Sequence, residues 1–142
     1  MKRILGIDVG SVRVGIALSD LLGMIAQPHA VFLRQKADIF SNIVKLIEEE
    51  SVETVVIGHP LTLNGQESHA VAYVKIFAEG LREVLPSDVP IVFWDERLST
   101  AQAQRTMIAA GVRREKRKDK IDAVAAAIVL QSYLDAQASG RC

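Results

Sequence analysis

The chain has 142 residues, of which 49% are hydrophobic and 24% are charged. These values are ordinary for a globular protein and exclude disordered, collagen-like and coiled-coil chains, so the length predicts a single domain over residues 1–142. Lys and Arg together number 17, as do Asp and Glu, and this zero net charge argues against capture of nucleic acid by overall charge. The only cysteine is Cys142, which excludes an internal disulfide and fits a reducing compartment.

The expected location is the cytoplasm, with no membrane partner. Asp8 interrupts the first apolar run, whereas a secretory signal needs about 7–15 apolar residues in its central region. The longest apolar run, residues 123–130, is far shorter than the roughly 20 residues that cross a bilayer.

Three strands are predicted at the start of the chain. Residues 3–9 (RILGIDV) form a short, mostly aliphatic run that ends at a glycine. Residues 12–19 alternate large apolar side chains with polar or small ones, which is the period of a strand. The link at residues 10–11 is too short for any connection but a hairpin, so these two strands are antiparallel. A third strand is predicted at 30–33, after Pro28.

Helices and strands then alternate along the chain. The predicted elements are a helix at 37–50, a buried strand at 54–57 closed by Gly58, a helix at 68–85, a strand at 91–94, a helix from Ser99 or Thr100 to Gly111, and a helix at 119–136. Three meandering strands followed by crossover units predict an α/β fold. We expect a mixed five-stranded sheet with three antiparallel strands, two further parallel strands and helices on both faces.

Acidic residues stand at three unusual places. Asp8 lies inside an aliphatic strand, where an unpaired carboxylate costs several kcal/mol, so it needs a hydrogen bond, an ion pair or a cation. Asp95 and Glu96 end the fifth strand, and because neighbouring strand residues point to opposite faces, only one of them can join Asp8. Asp122 lies in the first turn of the last helix, where the helix dipole favours it, but residues 123–130 after it are apolar on every side.

These carboxylates predict a metal site. Sites in open α/β sheets gather at the carboxyl ends of parallel strands. Two carboxylates about 4 Å apart repel by roughly 4 kcal/mol at an effective dielectric of 20, so three of them need a cation. Magnesium or manganese prefers such oxygen ligands, and two such ions can activate a water and stabilise the leaving oxygen of a phosphodiester.

Four segments, in order and spread over nearly the whole chain, resemble the YqgF/RuvX family. They are residues 8–17 (DVGSVRVGIA), 58–65 (GHPLTLNG), 95–100 (DERLST) and 120–126 (KIDAVAA), of which DERLST is the most specific. The resemblance implies an RNase H-like fold and a nuclease that processes the 5′ end of pre-16S ribosomal RNA, or else a Holliday junction resolvase. It also implies that the catalytic, metal-binding carboxylates are Asp8, Glu96 and Asp122.

Two residues depart from the pattern of the family. His59 stands where the family more often has Leu, and Asn64 where an acidic residue is frequent before the glycine. Both lie in the polar loop 59–67, which an induced closure could bring over a substrate. The residues expected near the site in this region are Gly58, His59, Pro60, Asn64 and Gly65.

Basic residues near the carboxylates are candidate phosphate contacts. Residues 113–120 (RREKRKDK) hold six basic and two acidic residues, a net charge of +4, so the rest of the chain carries −4. Such a run is usually a solvated loop, but this one immediately precedes Asp122. Arg97 either clamps a phosphate or pairs with Asp95, and Arg13 is either solvated or binds substrate. The substrate-binding candidates are Arg13, Arg97, Arg113, Arg114, Lys116, Arg117, Lys118 and Lys120.

Several functions remain open at this point. A resolvase cuts two strands symmetrically, which implies a homodimer and branched DNA, whereas processing of a ribosomal RNA precursor needs neither. Residues 8–11 (DVGS) also resemble the phosphate loop of actin and sugar kinases, but those proteins close a cleft between two domains and this chain supplies one. The third class is a non-catalytic nucleic-acid or ribosome-assembly module. The three carboxylates argue against it, since a surface that only binds phosphate would be expected to lose such negative charges.

Overall fold

Five strands and three helices make up the part of the chain that the computed structural model describes, residues 2–60, 70–96 and 121–140. The strands are β1 (Arg3–Val9), β2 (Arg13–Ser19), β3 (Ala26–Leu33), β4 (Val52–His59) and β5 (Ile91–Asp95). The helices are α1 (Ile39–Glu49), α2 (Ala70–Val84) and α3 (Ile121–Ala138).

The strands form one mixed sheet in the order β3-β2-β1-β4-β5. β1, β2 and β3 pair antiparallel, because short turns join them, whereas β4 and β5 follow helical crossovers and pair parallel to β1 and to each other. The predicted mixed sheet, with an antiparallel edge and a parallel centre, is confirmed.

Alternate residues of β1 point to opposite faces of the sheet, and each face packs against different helices. Leu5 and Ile7 are fully buried in a core that includes the apolar faces of α1 and α2. Ile4 packs instead into a second core that α3 dominates. Gly6 and Asp8 share the face of Ile4, since side chains alternate along a strand. Asp8 therefore lies on the side of the sheet that α3 covers.

Helix α3 lies close against β1 at a glycine. A Cβ atom on Gly6 would be 2.7 Å from the Cβ of Leu130 and 3.2 Å from the carbonyl oxygen of Ala126. Both distances are shorter than ordinary van der Waals contact, so any side chain at this position would push the helix away from the sheet.

A buried glutamine fixes the direction of α3. Gln131 accepts a hydrogen bond from the backbone N–H of Ala26 at 2.8 Å and donates one to the carbonyl of Met24 at 2.9 Å. Ala26 pairs with Ser19, at the end of the sheet where β1 begins. The amino end of α3 therefore points toward the opposite end of the sheet, where β1 finishes at Val9.

Some element boundaries differ from the predicted ones. β3 begins at Ala26 rather than at residue 30 and contains Pro28, which an edge strand tolerates because it does not need that N–H, and the register shifts between Ile16 and Ala17 beside it. β4 continues through His59, so the expectation that Gly58 and His59 belong to a loop was wrong.

Two further predictions concern the helices. The predicted helix from Ser99 or Thr100 to Gly111 lies outside the described residues. Among the helices within them, none has both the length and the apolar character needed to cross a bilayer.

Candidate active site

Asp8 and Glu96 meet at the carboxyl end of the parallel strands. Asp8 is near the end of β1, and Glu96 directly follows β5. Both residues are half-buried, and their side chains are hydrogen-bonded to each other. The structure thus brings together two of the three carboxylates that the sequence singled out.

The register of the parallel strands explains this meeting. Ile7 pairs with Ile57 of β4, so the next step along both strands brings Asp8 beside Gly58. Gly58 in turn pairs with Trp94 of β5, whose side chain packs with the core of α3. Glu96 is two residues beyond Trp94, so its side chain returns to the same face.

The two carboxyl groups share a proton at neutral pH. The pKa of Glu96 is raised from 4.5 to about 8, most of all by burial, and then by the hydrogen bond to Asp8 and by the negative charges of Asp8 and Asp95. Two carboxylates in contact need either a shared proton or a cation to offset their repulsion. Their four oxygens are the ligands that magnesium and manganese prefer, so the donor set fits a divalent ion.

Asp95 belongs to the opposite face of the sheet. It pairs with His59 of β4, whose ring packs edge-on against Phe93 with 5.8 Å between the ring centroids. Since Phe93 and Asp95 alternate with Trp94 and Glu96, they project toward the face of α1 and α2. The Nδ1 atom of His59 is buried there and has no hydrogen-bond partner among the described residues.

Asp122 has a described backbone in the first turn of α3, but its side chain lies outside the described part of the structure. Within residues 2–60, 70–96 and 121–140, no group of three His, Cys, Asp or Glu side chains is placed to hold a metal ion. The third position of the predicted carboxylate set is therefore not part of the described geometry.

Arg13 opens β2 on the same face as Asp8. Its neighbour Val14 packs into the core of α1 and α2, whereas Ala17 packs under α3, so the alternation of β2 directs Arg13 to the α3 side. The side chain of Arg13 is exposed. The remaining substrate-binding candidates lie outside the described residues: Arg97, Arg113, Arg114, Lys116, Arg117, Lys118 and Lys120. So do Asn64 and Gly65 of the predicted loop.

Arg34, which the sequence did not single out, holds the turn that follows Asp8. Its backbone N–H donates to the carbonyl of Val12 at 2.8 Å, and its Nε donates to the carbonyl of Ser11 at 2.9 Å. Its guanidinium lies 4.7 Å from the centre of the Tyr73 ring of α2. No local sequence signal marks this role, because it depends on the pairing of β3 with β2.

Comparison with known proteins gives a consistent picture. The family model described as "RuvX: Holliday junction resolvase" matches residues 2–136. A protein of Caldanaerobacter subterraneus subsp. tengcongensis named "Putative pre-16S rRNA nuclease" is 47% identical over 140 residues, covering 95% of this chain and 97% of its own. A protein of the same name from Desulforamulus reducens is 44% identical over 137 residues, covering 96% of this chain and 98% of its own.

Solved structures show the same fold at low sequence identity. T. thermophilus RuvC in complex with a Holliday junction substrate aligns with a TM-score of 0.65 at 13% identity, over 99% of this chain and 98% of its own. The fowlpox virus Holliday junction resolvase aligns with a TM-score of 0.55 at 12% identity, over 94% of this chain and 99% of its own. The predicted RNase H-like fold is confirmed.

Proposed function

This chain belongs to the RuvX family, and we propose that it is a divalent-metal-dependent nuclease that processes the 5′ end of pre-16S ribosomal RNA. The observation that carries the proposal is the hydrogen-bonded pair of Asp8 and Glu96 at the carboxyl ends of β1 and β5. The relatives named for pre-16S ribosomal RNA support the choice of RNA. Such a substrate would be met in the cytoplasm, during ribosome assembly.

Asp122 is the third carboxylate of the proposed site. Ala126, one helical turn later, has its carbonyl oxygen close to Gly6 of β1. Four helical residues rise about 6 Å, and two strand residues span nearly the same distance, about 6.6 Å. Since the amino end of α3 points toward the end of β1, the proposal takes Asp122 to lie level with Asp8.

Asp8, Glu96 and Asp122 would hold the metal. A bound pair of magnesium or manganese ions supplies Lewis acidity for the attacking water and for the departing 3′ oxygen, which leaves a 5′ phosphate. Asp8 and Glu96 must give up their shared proton for this role, and the pKa of about 8 at Glu96 allows that near neutral pH. Both carboxyl groups are half-buried, which strengthens their hold on a cation.

The substrate backbone is proposed to pass along the α3 face, toward Arg13. This guanidinium is exposed on the face of Asp8 and can bind a backbone phosphate whatever the base sequence. Arg97 and the basic residues between 113 and 120 are proposed as further phosphate contacts, since they adjoin Glu96 and Asp122 in sequence.

The first test is a cleavage assay with manganese on a precursor-like structured RNA, a single-stranded RNA and a four-way DNA junction. We expect Asp8→Asn to lower the rate of RNA cleavage at least about 100-fold. Loss of a residue that merely supports a metal ligand already lowers metal affinity or activity 10–100-fold, and Asp8 is a proposed ligand itself. Asp88→Asn is the matched control, because Asp88 is exposed in the turn before β5. Equal cleavage by wild type and Asp8→Asn would contradict the proposal.

A Holliday junction resolvase is the second candidate, favoured by the description of the family. In that case the four-way junction would be cut by paired, symmetric nicks while both RNAs stay intact. Symmetric cutting needs two active sites, so light scattering should then show a homodimer that binds branched DNA. Cleavage of the precursor RNA, lost in Asp8→Asn, would set this candidate aside.

A further inference from the structure

The carboxyl group of Glu96 reaches Asp8 by lying across Gly58 of the strand between them. A Cβ atom on Gly58 would be 2.5 Å from Oε1 of Glu96, 3.0 Å from its Cγ and 3.2 Å from its Cδ. These three atoms fill the volume that any side chain at position 58 would need. β4 therefore has no side chain of its own on the α3 face at this position, and the outer half of the Glu96 side chain occupies that space.

Backbone conformation does not account for this glycine. Among the described glycines only Gly23 and Gly140 have a positive φ, so the backbone at Gly58 is one that alanine adopts. Gly58 lies inside β4 and pairs with Trp94, whereas glycine in a strand interior usually weakens the strand. The close approach of Glu96 explains instead why position 58 has a residue without a side chain.

We infer that Gly58 is a positioning residue of the nuclease: its missing side chain leaves the space in which the Glu96 carboxylate stands against Asp8. This inference rests on the proposed function, since it gives Gly58 its role through the metal-binding pair. With alanine at position 58, Glu96 would have to swing away from β4, and the two carboxylates would no longer face one cation together.

Gly80 offers a matched control elsewhere in the fold. A Cβ atom there would be 2.8 Å from two ring atoms of Phe40, so Gly80→Ala also introduces a close contact. That contact lies between α2 and α1, on the other face of the sheet from Asp8 and Glu96. A general loss of packing should therefore follow from both substitutions, whereas a loss of metal binding should follow only from Gly58→Ala.

The test compares Gly58→Ala with wild type in Mn²⁺ affinity, kcat and KM, and repeats the substitution in a Glu96→Asp background. We expect Gly58→Ala to weaken Mn²⁺ binding about 10- to 100-fold, the usual effect of disturbing the support of a metal ligand, and to lower kcat with KM nearly unchanged. In the Glu96→Asp background the shorter side chain no longer crosses β4, so the same substitution should change Mn²⁺ affinity less than about twofold.

Each outcome separates this inference from the proposed function. If wild type binds Mn²⁺ and Gly58→Ala binds it equally well, the inference is wrong and the nuclease proposal stands. If Gly58→Ala weakens binding by the same factor in both backgrounds, its effect is general packing and the inference is also wrong. If wild type neither binds Mn²⁺ nor cleaves, the proposed function fails and the inference falls with it.

Discussion

At Glu96 the fold keeps a carboxylic acid protonated at neutral pH. Burial is the largest cause of its pKa of about 8, followed by the hydrogen bond and the charge of Asp8. Because its pKa is about 8 in the folded chain and 4.5 as a free side chain, Glu96 binds its proton more tightly in the folded chain than in the unfolded chain. The metal-free protein is therefore stabilised by protonation of Glu96, and that contribution depends on pH.

Substitution of Glu96 by Gln removes this proton and measures its contribution to stability. Between pH 4.5 and about 8 the folded chain holds a proton that the unfolded chain has lost, so the free energy of unfolding of wild type should fall as pH rises and then level off. Glu96→Gln has no proton to lose and should gain stability relative to wild type over that range. Urea denaturation in EDTA at pH 5 to 9 measures the difference.

The matched control is Glu53→Gln, since Glu53 is exposed on β4. Its free energy of unfolding should run parallel to that of wild type over the whole pH range. Parallel curves for Glu96→Gln as well would show that the Asp8–Glu96 pair holds no proton in the metal-free protein.

Much of the carboxylate pair could be predicted from the sequence. Asp8 stood out because it interrupts an aliphatic strand, and strand alternation showed that either Asp95 or Glu96 could join it, but not both. The choice of Glu96 came from the resemblance of residues 95–100 to a family. Gly58 could not be predicted in its positioning role, because that role depends on which side chain of the next strand lies over it.

Helix α3 is held by its polar contacts as well as by its apolar surface. Gln131 is fully buried and bonds to the backbone of Met24 and Ala26 and to the side chain of Asp135. On the other side of the helix, the indole N–H of Trp94 donates to the hydroxyl of Ser132 at 3.1 Å. These contacts fix α3 on both sides of the sheet face that carries the site.

Gln131→Ala should therefore destabilise the protein by about 1–3 kcal/mol, because it leaves the buried backbone N–H of Ala26 without its partner. Chemical denaturation measures the change in the free energy of unfolding. Gln137→Ala is the control, because Gln137 is exposed near the end of α3, although it donates to the hydroxyl of Tyr133. A loss no greater for Gln131→Ala than for Gln137→Ala would contradict the anchoring role.

The elements were easier to predict than their limits. Loop lengths were enough to distinguish hairpins from crossovers, so the antiparallel pairing of β1 with β2 and the mixed character of the sheet followed from the sequence. The strand order, with β4 beside β1, did not. β3 was predicted too short because Pro28 normally ends a strand, and only its position at the sheet edge permits it there. α1 begins at Ile39 rather than at residue 37, and Asp38 at its N-cap makes no side-chain hydrogen bond to the first turn.

Positive charge is concentrated in one segment of the chain, although the net charge is zero. The run at residues 113–120 carries +4 and the rest of the chain −4, so attraction to nucleic acid is concentrated beside Asp122 in sequence. Contacts of this kind bind phosphates, release counterions and carry no base information. Affinity for RNA should therefore fall with salt and vary little with sequence.

A triple substitution of Lys116, Arg117 and Lys118 by Gln should reduce the salt dependence of RNA binding. Each lost phosphate contact lowers the slope of log affinity against log salt by about 0.7 for a single strand, so the slope should fall by up to about 2. Lys45→Gln is the control, because Lys45 is exposed on α1 and pairs with Glu49 of the same helix. An unchanged slope in the triple variant would show that this run makes no phosphate contact.

The position of β1 within the sheet has a consequence for protein synthesis. Asp8 lies on a strand that is made first and ends up between β2 and β4. Glu96 directly follows β5, which among the described strands pairs with β4 alone. A nascent chain that has exposed only the hairpins and α1 thus carries one of these carboxylates without the other. The pair can therefore assemble only after β5 and Glu96 have emerged from the ribosome.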